Sequence, residues 1–192
     1  MDERVPTLRE ALSLRSAARE PQSRDPDFTA LNAIIDRIRA RFHNPTTFRD
    51  LSHGEQVVYE LGYTMDAEVQ NGGWHQYLGN SSGNGAEEHK AYLREVGAAE
   101  VLALLERVST IFPNAVVPHD WSQRNQLLRR AVEQDPSIVD GLLEQADRAY
   151  YRECASLYTH LMDYVETHVT DFENPPDAPP RRRSRSRPRP RR

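Results

Sequence analysis

Apolar residues recur along this chain in steps of three and four, and no stretch alternates apolar with polar, so helices are the elements it can build. Leu31, Ile34, Ile35, Ile38 and Phe42 form one stripe. Val57, Val58, Leu61, Met65 and Val69 form a second, and Val101, Leu104, Leu105, Val108, Ile111 and Phe112 a third. Ile138, Leu142, Ala149, Tyr150, Leu157, Leu161, Tyr164 and His168 mark the inner side of a long last helix, bent or broken near Gly141 or mid-length. The punctuation agrees. Asp27 is placed to cap the first of these helices, and Asn44-Pro45 to end it. Ser52-His53-Gly54-Glu55 has capping-box spacing. Gly97 and Pro113 stop helices, Trp121 to Gln134 reads as another, and Pro136 opens the last at its first turn. The expected fold is all-α: a single compact helical domain of about six or seven helices over residues 27–173, with disordered termini. Residues 1–26 are expected to be a mobile segment in which Thr7 to Arg19 can form a short helix. Residues 174–192 are expected to be a disordered Pro/Arg-rich tail.

The formal net charge of −4 hides a division. Residues 52–173 carry 20 acidic and 8 basic side chains, a net of −12, while residues 181–192 carry eight arginines. A body so charged repels a polyanion and attracts a cationic surface. Direct DNA binding by the body is therefore not expected. The single cysteine, Cys154, leaves no internal disulfide and reads as a small residue facing the apolar side. No apolar run has the length of a membrane span. A cytoplasmic protein without membrane contact is expected.

One stretch is unlike the rest. Glu68 to Gly83 reads Glu-Val-Gln-Asn-Gly-Gly-Trp-His-Gln-Tyr-Leu-Gly-Asn-Ser-Ser-Gly. Asn71, Gly72 and Gly73 can hold the positive φ that breaks a helix. Trp74, Tyr77 and Leu78 then share one inward side, and Gly79 to Gly85 is a polar loop. No strand precedes these glycines and no phosphate-loop lysine follows them, which argues against a nucleotide site. At about 100° per residue, Glu55 and Asp66 fall on the wet face of the preceding helix, and Glu68 falls beside Leu61. A carboxylate there needs donors, and the nearest are the backbone N–H groups of Gly72, Gly73 and Trp74.

The segment Glu68 to Tyr77, with Asn80-Ser81-Ser82-Gly83 and Val96-Gly97-Ala98, resembles the signature of the DNA-mimic protein family, an all-α domain otherwise of unknown function. The likeness spans roughly Leu51 to Phe172 and includes the aromatic-rich Ala146 to Tyr151, Tyr164 and Phe172. It implies acidic surface mimicry of DNA. Glu68, Asn71, Gly72, Gly73, Trp74, Gln76, Tyr77, Asn80, Ser82 and Gly83 are its structural positions in this chain.

The acidic side chains carry the functional signal. Asp140, Glu144 and Asp147 stand at i, i+4 and i+7, with axial steps of about 6 and 4.5 Å. A DNA strand presents a negative charge every ~3.4 Å. Asp163 and Glu166 extend the row, and Asp66 and Glu55 complete the candidate partner-binding surface. An ordinary solvated helix face carries the same pattern. The seven histidines show no zinc-binding spacing, so no metal, cofactor or catalytic residue is expected. The leading reading is a non-enzymatic module that presents carboxylates to the DNA-binding face of a basic protein such as a transcription regulator. The alternatives are an immunity- or antitoxin-like partner of a nuclease, and a hydrolase using the Asn71–Gly73 loop with His75 and Glu68. A homodimer is left open.

Overall fold

The computed structural model describes residues 5–17, 25–41 and 45–173. Its helices are α1 (Leu8–Ala17), α2 (Pro26–Arg41), α3 (His53–Tyr59), α4 (Asp66–Gly79), α5 (Ala86–Glu95), α6 (Ala99–Ser109), α7 (Trp121–Gln134), α8 (Glu144–Thr167) and α9 (Val169–Glu173). Among the described residues there is no strand. The fold is all-α, one compact domain around a shared core. α8 lies along the middle, packed against α2, α4 and α6.

The helix starts are fixed by local chemistry. Ser52 accepts from the Glu55 N–H, and Glu55 accepts from the Ser52 N–H, so both halves of the capping box are made. α2 begins two residues earlier than expected. Asp25, not Asp27, receives the N–H groups of Asp27 and Phe28, with Pro26 in the first turn. Asp27 is instead buried, and it accepts from Arg15 Nε at 2.7 Å and Thr159 Oγ1 at 2.7 Å. Phe42 and the expected tail over 174–192 lie outside the described residues. α1 packs on α2 and buries Leu8 and Ala11.

Two π turns shape the rods. Glu60–Met65 joins α3 to α4, and Ile138–Leu143 leads into α8. Val57, Leu61, Met65 and Val69 are spaced by four, and all are fully buried. In a regular α-helix that spacing drifts by about 40° per step. A wider turn keeps the four in line. A π turn holds one extra residue, so everything beyond it rotates by about 100° from the regular wheel. This rotation corrects two expectations together: Asp66 turns inward and Glu68 turns partly outward. The last rod breaks at His168, which is exposed instead of buried. Gly141 lies inside the second π turn.

Candidate functional site

The motif begins with a break in α4. Gly72 has φ −153° and Gly73 has φ +70°, ψ −175°, a conformation restricted to glycine. The break frees the Trp74 N–H, which donates to Asp147 Oδ1 at 2.7 Å. Any Cβ on Gly73 would run into the Asp147 carboxylate. The acceptor at this break is thus Asp147 on α8, not Glu68. Burial pushes the Asp147 carboxyl above its ordinary range, and the Trp74 N–H only partly offsets this. Asp147 is half-buried and engaged, so it does not belong to an open acidic row.

Beyond the break, Trp74, Tyr77 and Leu78 are fully buried. Trp74 meets Tyr77 and Tyr150 edge-on, with ring centroids 5.6 and 5.5 Å away. Its Nε1 has no hydrogen-bond partner among the described residues. Glu68 clasps the motif by a different route from the one expected. Its Oε2 accepts from Gln76 Nε2 at 2.7 Å and Asn80 Nδ2 at 2.9 Å, joining the new helical turn to the polar loop.

That loop is held from beneath by Arg124 of α7, which is fully buried. Nε donates to the Leu78 carbonyl at 2.7 Å. Nη1 donates to the carbonyls of Pro118 and His119 at 2.7 and 3.1 Å, and Nη2 to the Asn80 carbonyl and Asn84 Oδ1 at 2.5 and 2.9 Å. These bonds engage every N–H of the guanidinium. Burial lowers its pKa, while Tyr77 and Asp120 oppose the shift. Gly83 is required by close approach, since a Cβ there would lie 2.7 Å from the Tyr77 carbonyl and 2.9 Å from Arg124 Nε. Nothing in the loop's own sequence announces Arg124, which lies forty residues downstream.

Two buried polar groups run inward from the motif. Tyr77 Oη lies 2.7 Å from His89 Nδ1, and His89 Nε2 lies 2.9 Å from Glu60 Oε2. Burial raises the Tyr77 hydroxyl well above its ordinary pKa, so it stays protonated. On the other side of α4, Asp66 is 5% exposed and accepts from Tyr150 Oη at 2.6 Å and from Tyr158 Oη at 3.3 Å. Burial raises its pKa, and the tyrosines and Gln70 partly counter that. Neither Glu60 nor His89 was singled out from sequence. Only the polar residue in an otherwise apolar helix face could have flagged them.

Glu60, Glu68 and Asn71 open onto a cleft of about 700 Å³ that Gln76, Ser82 and Glu88 help to line. His75 is exposed and lies outside that lining, so no His75–Glu68 pair forms there.

The expected acidic surface is only partly a surface. Glu55 is 2% exposed, closed into its capping box and paired with Arg41 of α2. Asp66 is buried by the π-turn rotation. Glu144 is exposed and pairs with Arg148. Asp163 and Glu166 are exposed on α8, and both receive Arg15 of α1, at 2.7 and 3.0 Å. The Asp140 side chain lies outside the described residues. Among the described residues no group of His, Cys, Asp or Glu is arranged to hold a metal ion, and no helix is long and apolar enough to cross a membrane.

The fold and site define a helical domain whose broken-helix motif is clamped by a carboxylate and a buried arginine. The chain belongs to the DMP19-like protein family, whose profile matches residues 49–168. No curated protein and no solved structure matches it.

Proposed function

We propose that this chain is a non-enzymatic binding protein that offers carboxylates to the DNA-binding face of a basic protein, such as a transcription regulator. Membership of a family of DNA mimics carries this reading. The excess of 20 acidic over 8 basic side chains in residues 52–173 supports it. The surface left for a partner includes Glu144, Asp163 and Glu166. The contact of Arg15 with two of them supports their use, since it is an arginine–carboxylate contact of the kind a cationic partner would make. Asp140 is retained as a member by its position beside Glu144.

The test is competition. A DNA-binding protein captured by the chain from its source cells should be released by duplex DNA. Changing Glu144, Asp163 and Glu166 to Lys should weaken capture at least about tenfold, as loss of complementary charge requires. Capture that survives both excess duplex DNA and the triple substitution would overturn the reading.

A further inference from the structure

A second cleft, of about 620 Å³, opens between α2, the first π turn with the start of α4, and α8. Its size is that of a small-molecule site. Phe28 and Leu31 of α2 and Tyr158 of α8 give it an apolar side, and the Phe28 and Tyr158 rings meet with centroids 5.0 Å apart. Asp66, brought round by the π turn, also lines it and is 5% exposed. Its carboxylate is incompletely held. Oδ1 accepts from Tyr150 at 2.6 Å. Oδ2 receives the Tyr158 hydroxyl at 3.3 Å, a donor shared with Oδ1 at 3.4 Å. A good O–H···O bond is about 2.5–3.0 Å long. Gln70, whose Nε2 donates to Tyr158 Oη at 3.1 Å, adds partial help. All these donors are neutral, and among the described residues no cation pairs with Asp66. A buried carboxylate needs a cation or a full set of short hydrogen bonds, and Asp66 has neither.

We propose that this cleft binds a small organic amine, with its ammonium against Asp66 Oδ2 and an aromatic or aliphatic body against Phe28, Leu31 and Tyr158. Among the lining residues there is no lysine, arginine or histidine to repel such a group. The other acid of the cleft, Asp25, is engaged by the first turn of α2, where it accepts from the N–H groups of Asp27 and Phe28. One acceptor oxygen is therefore left to be completed, at the end of an apolar passage. A compact ammonium on a slim stem suits it, and a planar guanidinium, whose five donors ask for several acceptors, does not. A neutral hydroxyl would supply a donor and leave the charge uncompensated. The raised Asp66 pKa agrees with a site short of a cation, because an ammonium beside the carboxylate would favour its ionised form. Glu144, Asp163 and Glu166 do not line this cleft, so the site does not depend on the acidic surface proposed above.

The experiment is an NMR titration of the full chain with phenethylamine, phenethyl alcohol and phenylacetate, at about pH 7.5 and about 0.15 M salt where the Debye length is ~8 Å. The backbone N–H groups of Gly62 and Asp66 and the side-chain amide of Gln70 should shift with the amine. The alcohol has the same body without the charge. It should bind at least about tenfold more weakly, as loss of a charge-assisted bond to a buried carboxylate requires. Phenylacetate should not bind. Asp66→Asn should lower the amine to the affinity of the alcohol, and the spectrum of that variant reports whether it is folded. Asp36→Asn, which removes an exposed charge from α2, should change nothing. The amine and alcohol are compared on the parent chain, so equal affinities overturn the site without recourse to a variant. A loss as large with Asp36→Asn as with Asp66→Asn would reduce the effect to diffuse charge and overturn it too, as would absence of shifts at Gly62, Asp66 and Gln70. Tighter binding of Nα-acetyl-lysine amide than of phenethylamine would overturn the assignment to a free amine.

Discussion

Gly73 carries two constraints at once: a φ of +70° and a carboxylate where its Cβ would be. Gly73→Ala is expected to cost on the order of 3 kcal/mol or more, combining backbone strain with a steric clash. A fall in urea midpoint at unchanged m-value would measure it. Asp66 makes a different prediction. Its raised pKa means that the folded chain binds a proton more tightly than the unfolded one. Stability therefore falls as pH rises from the ordinary carboxylate pKa of about 3.9 through the raised folded value. Asp66→Asn keeps an acceptor for Tyr150 and has no charge to desolvate. It should be at least as stable as the parent at neutral pH and should lack that acid-side gain, as paired melts across mildly acidic pH would show. A variant clearly less stable at pH 7 would mean that the ionised form is the better partner for the tyrosines. The sequence places Asp66 on the wet face of its helix, and the structure buries it instead. A regular wheel has no way to include the extra residue of a π turn.

At the scale of elements, most of the helices could be read before any coordinates. α7 and the capping box of α3 sit where spacing and cap residues place them, because both signals are local. Contacts distant in the sequence were not legible. The Trp74 N–H finds Asp147, and the loop 78–84 finds Arg124, through packing that no window of the sequence contains. Arg124 joins α7 to the motif through the carbonyls of Leu78 and Asn80 and through Asn84 Oδ1, and its other two bonds go to the carbonyls of Pro118 and His119. Arg124→Lys keeps the charge but offers at most three donors, leaving buried carbonyls unmatched. It should cost on the order of 2–4 kcal/mol. The loss should concentrate in the loop, so hydrogen exchange at Leu78 to Gly85 should accelerate more than exchange in α6. Uniform acceleration would show that Arg124 supports the whole core instead.

At the scale of the molecule, charge is the main lever. α1 already brings Arg15 to Asp163 and Glu166, each more than a third exposed, so that contact is weak in water and can be exchanged. The eight arginines of residues 181–192 lie outside the described residues, and their effect can be argued from charge and chain length. Seven residues separate Glu173 from Arg181. Fully extended, they reach about 25 Å. The Gly54 N–H donates to Asp171 at 3.1 Å, which places α9 at the start of α3. From Gly54 the α3–α4 rod rises only about 9 Å to Glu60 and about 21 Å to Glu68, at ~1.5 Å per residue. The tail therefore has the reach to compete with a cationic partner at Glu60 and Glu68, at high effective concentration. Replacing its eight arginines with serine takes the formal charge from −4 to −12. The full chain so altered should bind a cationic probe such as polylysine more tightly at low salt. It should bind no differently at about 1 M, where the Debye length is ~3 Å. A low-salt affinity equal to the parent's would show that the arginines do not screen the body and that its −12 is available to a partner throughout.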